Sequence, residues 1–286
     1  MIPVADRTQS KPFLEAFEEL GFAHFPGVYD APQVDTFQHL YADVVSQWRY
    51  VTHSEATPDA VSGLLERYPR DILPALSNPL LLGFAEAIMG PFVQLDSAVL
   101  NSDAPVEQEK RLCPVMWHRD RFGAVPPNLY LRPSSIVFLS YLQPMTDDVG
   151  PLRVIPRSHR ADRLIPDAEL YEPIADEVFI HAEPGDVIAV HQNLLHSGTH
   201  NTATIDRRFF GFIYNLTCYR QEDNFAGPNC AALLDFAKKT NDRRLARLLG
   251  HDPLIFPRQN SGFTSPPETQ WAQWIHDDEA YAESKS

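Results

Sequence analysis

The sequence predicts a mainly β fold with flanking helices: a double-stranded β-helix, or jelly roll, forming one domain over residues 1–286 with its core at about 90–216. Three observations predict it. Runs rich in β-branched and aromatic residues, bounded by turn residues, cluster between Val93 and Asn215 and read as strands. Apolar residues at helical spacing lie on either side of that region. The chain is longer than the commonest domain, but at 286 residues and 44% apolar content it suits one β-barrel unit with a sizeable core and helical decoration.

Taken in order, the first helix runs from about Pro32 to Trp48, where Val34, Phe37, Leu40, Tyr41, Val44, Val45 and Trp48 keep a helical stripe that should pack on the outside of the barrel. A second spans Asn78 to Met89. Pro184-Gly185-Asp186 reads as a turn, Val187 to His191 as a buried strand, and a new strand can start near His196. Arg207 to Asn215 is rich in aromatic and β-branched residues and reads as another strand. A third helix runs from Ala231 to Leu249 and ends at Gly250, as helices often do. On it, Lys238, Lys239, Arg243, Arg244 and Arg247 read as a solvated face. Proline is dense between Cys113 and Pro144, which implies long loops there.

Charge and composition narrow the function. A formal charge of -14 opposes binding to nucleic acid. Cys113, Cys218 and Cys230 make no disulfide framework and no zinc-type spacing, and they fit a reducing compartment. The first residues lack the basic-then-apolar order of a secretory signal, and no run approaches 18 uninterrupted apolar residues. The expectation is a cytoplasmic protein with a small-molecule substrate and no membrane or nucleic-acid partner. The oligomeric state is left open, a homodimer included.

Two short segments carry the chemistry. In an extended strand, residues two apart share a face, so His118 and Asp120 can reach one metal while Arg119 faces away. With a distant histidine, such a pair makes the facial two-histidine, one-carboxylate set that leaves open positions on Fe(II). His196 is the distant candidate, with His191 and His200 as competitors; His159 and His181 read as structural. Arg207, eleven residues beyond His196, opens the last strand, and Arg207 and Arg208 must point to opposite faces. An inward arginine needs an anion to justify its burial, and its guanidinium can hold a carboxylate bidentately.

These residues resemble the phytanoyl-CoA dioxygenase-like family of Fe(II)/2-oxoglutarate-dependent oxygenases. The match runs through Trp117-His118-Arg119-Asp120, Gly150 to His159, Gly185-Asp186, His196, Asn201 and Arg207, with a similar opening at Phe17 to Val28. The resemblance implies that His118, Asp120 and His196 ligate iron, that Arg207 binds the distal carboxylate of 2-oxoglutarate, and that O2 is the oxidant. The chain departs from the family pattern twice. The usual Gly-Ser after the second metal histidine is reversed to Ser197-Gly198, with Ser197 kept as a candidate co-substrate contact, and Pro-Gly-Ser-His becomes Pro156-Arg157-Ser158-His159. Gln94, on the preceding strand, is a further candidate contact to co-substrate or substrate, as are Arg119, Arg121 and Phe122.

Related halogenases carry a small residue at the carboxylate position, so Asp120 argues for oxygen insertion, most simply hydroxylation of a small organic molecule in secondary metabolism. The alternatives are a cupin-like metal-binding protein or isomerase, and an oxygenase acting on a protein or acyl-CoA substrate.

Overall fold

The computed structural model describes residues 7–52, 59–106, 115–120, 132–262 and 264–284. Helix α1 (Arg7–Leu20) leads into strand β1 (Phe22–Phe25), then α2 (Ala31–Thr52), β2 (Ala60–Val61), α3 (Leu64–Arg67), α4 (Pro69–Leu76) and α5 (Pro79–Met89). The strands β3 (Val93–Asp103), β4 (Ser135–Tyr141), β5 (Leu152–Val154), β6 (Val178–Ile180), β7 (Val187–His191), β8 (His196–Ser197) and β9 (Arg207–Leu216) follow. The chain continues through α6 (Pro228–Lys239), α7 (Arg243–Leu248), α8 (Ile255–Gln259) and α9 (Pro267–Glu283).

The strands form an antiparallel major sheet in the order β1-β7-β4-β9-β3-β2 and a minor sheet in the order β6-β5-β8. They face one another as an open jelly roll; the sheet does not close. β1 and β2 extend the major sheet from outside the expected 90–216 core.

Alternation along the strands divides the core in two. Ala98, Leu100, Phe138, Ala189, Phe210, Phe212 and Tyr214 project to the outer face of the major sheet and pack under α1, α2, α5 and α7. There Phe138 stacks on Phe212 at 4.8 Å between centroids, and Phe37 of α2 stacks on Phe210 at 4.5 Å. The opposite residues, Val137, Tyr141, Leu152, Val154, Ile180, Ile188 and Val190, fill the space between the sheets. The interior face is less complete on one side. Ser97, Val99 and Asn101 of β3, Leu139 of β4, and Phe209 and Ile213 of β9 are only half-buried although they share that face. They form the floor of the space between the sheets.

The expected helices hold with two changes. Asn78 caps α5 by accepting from the amides of Leu80 and Leu81, an ordinary N-terminal signal. The third expected helix is broken, because Asn241 takes the left-handed conformation at φ 57 and Asp242 then caps a fresh helix through the Leu245 amide. The basic face on it is corrected in part: Arg244 and Arg247 are 4% and 1% exposed rather than solvated. Arg244 pairs with Glu86 of α5, and Arg247 with Asp252 and Asp278. Among the described residues no single helix is long and apolar enough to cross a membrane. Cys113, Arg121 and Phe122 lie outside the described residues.

Candidate metal centre

The minor sheet builds this site. β8 pairs with β5 so that His196 stands opposite Val154 and Ser197 opposite Arg153. His118 adds to the free edge of β8 as a single antiparallel bridge, with its amide donating to His196 O at 3.0 Å and the His196 amide donating to His118 O at 3.1 Å. The expected strand around His118 is thus reduced to one bridge, yet it does what the spacing required. Both imidazoles project to the same side, their ring centroids 4.2 Å apart.

Asp120 completes the group. Its Oδ1 lies 3.7 Å from His118 Nε2 and its Oδ2 3.5 Å from His196 Nε2. The three donors fall within 4.8 Å of one another, the one such metal-competent group among the described residues. His118 Nδ1–H donates to Met116 O at 2.8 Å, and His196 Nδ1–H to Leu194 O at 3.0 Å. Both rings therefore turn an Nε2 lone pair toward Asp120, the tautomer a metal needs. Burial, then the adjacent His196, pushes the His118 pKa below its ordinary value and keeps the ring neutral. Two imidazoles and one carboxylate suit a divalent iron-type ion, and a three-ligand protein set would leave coordination positions open for other ligands.

The residue between the ligands is accounted for too. Arg119 turns away and donates to four backbone carbonyls, those of Asn193, Arg163, Ser158 and Ala161. It ties together the loops behind the His–Asp–His group. On the outer face of the minor sheet Arg153, 1% exposed, donates to Ser197 Oγ at 2.8 Å and to Glu177 at 3.1 Å, and lies 4.7 Å over the Trp117 ring. It thereby braces Trp117 and Ser197, the neighbours of His118 and His196, from behind. The sequence reading passed over Arg153; its place in a buried three-residue strand was the available signal.

Arg207 points inward, as one of the two arginines had to. It shares its face with Phe209 and Ile213, while Arg208 lies on the other face 4.7 Å over the Tyr41 ring of α2. Arg207 donates through Nε and Nη2 to Asp103 Oδ2, at 3.0 and 2.7 Å, and through Nη1 to the carbonyls of Gly150 and Thr199. Gly150, at φ 88, allows that approach, since a Cβ there would sit 2.7 Å from Arg207 Nη1. Asp103 escaped the sequence reading although it is the cross-strand partner of Arg207 in the β3–β9 ladder.

Two expected contacts are placed elsewhere. Ser197 alternates with His196 and so faces away from the His–Asp–His group; its hydroxyl donates to Val115 O at 2.6 Å and accepts from Arg153. Gln94 belongs to the opposite end of the β3–β9 ladder from Asp103 and donates to Leu216 O and Tyr219 O. At about 3.3 Å per strand residue it is roughly 30 Å from the Arg207 end. Neither side chain is brought to the His–Asp–His group.

The competing histidines separate in the same way. His191 accepts from the Asn193 amide on the helix side of β7, His159 donates to Glu18 O, and His181 pairs with Asp147 at the surface. His200 is not in the metal-competent group.

Comparison with known proteins adds three results. The family model for phytanoyl-CoA dioxygenase (PhyH) matches residues 17–209. No curated protein matches the chain. Among solved structures, the non-heme alpha-ketoglutarate-dependent epimerase SnoN from nogalamycin biosynthesis superposes with a TM-score of 0.56 at 17% identity, over 74% of this chain and 82% of that one. HygX from Streptomyces hygroscopicus, with nickel and 2-oxoglutarate bound, gives 0.59 at 15% identity over 77% and 90%. EctD from S. alaskensis gives 0.58 at 22% identity over 76% and 79%. At these identities the structures establish a shared fold.

Proposed function

The chain belongs to the phytanoyl-CoA dioxygenase family, and from that membership we propose that it is an Fe(II)/2-oxoglutarate-dependent oxygenase that hydroxylates a small organic molecule in secondary metabolism. The observation that carries this reading is the convergence of His118, Asp120 and His196, with both Nδ1 atoms tied back to backbone carbonyls.

In this reading His118, Asp120 and His196 hold the iron, and Asp120 is its anionic protein ligand. When bound, iron with 2-oxoglutarate and O2 supplies oxidation of a carbon–hydrogen bond, and 2-oxoglutarate leaves as succinate and CO2. The protein's own part is positional. Arg207 receives the distal carboxylate of 2-oxoglutarate on the interior face, and the half-buried floor of Ser97, Val99, Asn101, Leu139, Phe209 and Ile213 gives a mixed polar and apolar wall for co-substrate and substrate. A floor of that composition suits a small molecule, and the -14 net charge opposes a nucleic-acid substrate. SnoN, from nogalamycin biosynthesis, and HygX, with nickel and 2-oxoglutarate bound, support the cofactor and the metabolic setting.

The test is anaerobic Fe(II) titration with 2-oxoglutarate, followed by the visible charge-transfer absorbance of the chelated co-substrate. We expect the band in the native protein and its loss, with metal affinity reduced at least tenfold, in Asp120→Ala. Tight metal binding without the band would turn the reading toward a cupin-like metal protein. An Asp120→Ala variant that binds iron and turns over normally would remove the triad assignment.

A further inference from the structure

Arg207 carries five N–H bonds, and four hydrogen bonds already engage it. Its Nε–Nη2 edge, the one that offers two parallel donors, is given to a single oxygen of Asp103. Nη1 is given to two carbonyls, Gly150 O and Thr199 O. A bidentate contact to any incoming carboxylate must therefore displace one of these partners.

The two sides are unequal. Gly150 and Thr199 carbonyls released from a guanidinium that is 5% exposed lose their partner in the interior, where an unsatisfied acceptor is costly. The Asp103 side chain is 44% exposed and can turn to water at little cost. Its backbone does not need to move, because Asn201 Nδ2 donates to Asp103 O at 3.1 Å and holds that end of β3 in place. Tyr141 on the neighbouring strand β4 is buried, its phenol pushed up to about 12 by that burial, with Arg207 and Asp103 as the charges that act on it. The pair thus sits against a wall that stays protonated and neutral.

We propose that Asp103 is a built-in competitor for the co-substrate: an internal carboxylate that occupies the Nε–Nη2 edge of Arg207 until the distal carboxylate of 2-oxoglutarate displaces it, and that sets the co-substrate affinity by doing so. This rests on the reading of Arg207 as the co-substrate anchor. It makes Asp103 a positioning residue whose removal tightens binding, the opposite of what a structural prop would do.

The experiment is calorimetric titration of the anaerobic Fe(II)-loaded protein with 2-oxoglutarate, with succinate, and with pyruvate, which has no distal carboxylate. Asp103→Asn and Asp103→Ser, the second guarding against a folding defect in the first, should bind 2-oxoglutarate and succinate about two- to fivefold more tightly and pyruvate unchanged. In turnover, the KM for 2-oxoglutarate should fall with kcat unaltered. Unchanged or weaker 2-oxoglutarate binding in both variants, while Arg207→Ala weakens it at least tenfold, overturns the competitor and leaves the anchor standing. Native affinity in Arg207→Ala overturns the anchor and the competitor together.

Discussion

Arg157 adopts a backbone conformation that glycine tolerates and arginine resists. Its φ is 68, in the Pro156-Arg157-Ser158-His159 element where the family's usual residue is glycine. The left-handed region costs an ordinary residue about 1–2 kcal/mol. Arg157 meets that cost with a hydrogen bond from its backbone N–H to Leu20 O, which glycine would keep, and a forked contact from Nε and Nη2 to Glu19, which glycine would lose. Arg157 is the first cause that lowers the Glu19 pKa, yet both side chains are more than half exposed, so water and salt screen the pair. Strain wins the comparison. Arg157→Gly should raise stability by about 0.5–1 kcal/mol in chemical denaturation, less than the full strain because glycine adds freedom to the unfolded chain. A destabilised variant would mean that the Glu19 contact outweighs the backbone. The sequence disclosed the missing glycine but not that the turn keeps glycine's conformation, which only the close approach of Arg157 to Leu20 reveals.

Among the elements, the C-terminal helices are tied together by buried charge. Asp278 of α9 is fully buried and accepts from Arg247 of α7 at 2.7 Å and from both Nη atoms of Arg258 of α8, at 2.9 and 2.7 Å. Burial opposes its ionisation, but the two guanidinium groups prevail and hold its carboxyl below the usual range. Asp278→Ala leaves two arginines buried beside one remaining acid, Asp252, and should cost about 3–5 kcal/mol by urea unfolding. A loss under about 1 kcal/mol would show that α8 and α9 reseat their arginines in water. This is also where sequence reading failed at the level of elements. Periodicity found α2 and α5 closely, because their stripes are local. It joined α6 to α7 and left Arg244 in solvent, because the partner that buries Arg244 is Glu86, 158 residues away. The His118–Asp120 half of the candidate site was legible for the converse reason: its two-residue alternation is local. Ser197 and Gln94 were misplaced, since the face of a two-residue strand and the far end of a long ladder are set by pairing.

Across the whole molecule, protons distinguish the folded from the unfolded chain. His159 and His191 lie 4.9 Å apart behind β7, 3% and 2% exposed, and burial lowers their pKa values to about 4 and about 3. Above pH 6.5 both are neutral in either state and contribute no pH dependence. As pH falls below 6.5, the unfolded chain takes up protons that the fold refuses, so stability is lost progressively toward the folded values. At pH 5 the loss is on the order of 2 kcal/mol for each histidine. The depressed carboxyls of Asp186 and Asp278 add their loss only further down, below the ordinary aspartate range. Thermal unfolding of the metal-free protein should therefore weaken steeply between pH 6.5 and 5, and His191→Phe should flatten that slope by close to one proton. An unaltered slope in the variant would place the titrating group elsewhere. The backbone bridge between His118 and His196 has a kinetic consequence as well. Each histidine's amide is hydrogen-bonded to the other's carbonyl, so the spacing of the two imidazoles is held by the chain itself. In the proposed reading iron enters a cradle that is already formed, and the same two amides, slow to exchange with deuterium only while the bridge holds, would time each opening of the site.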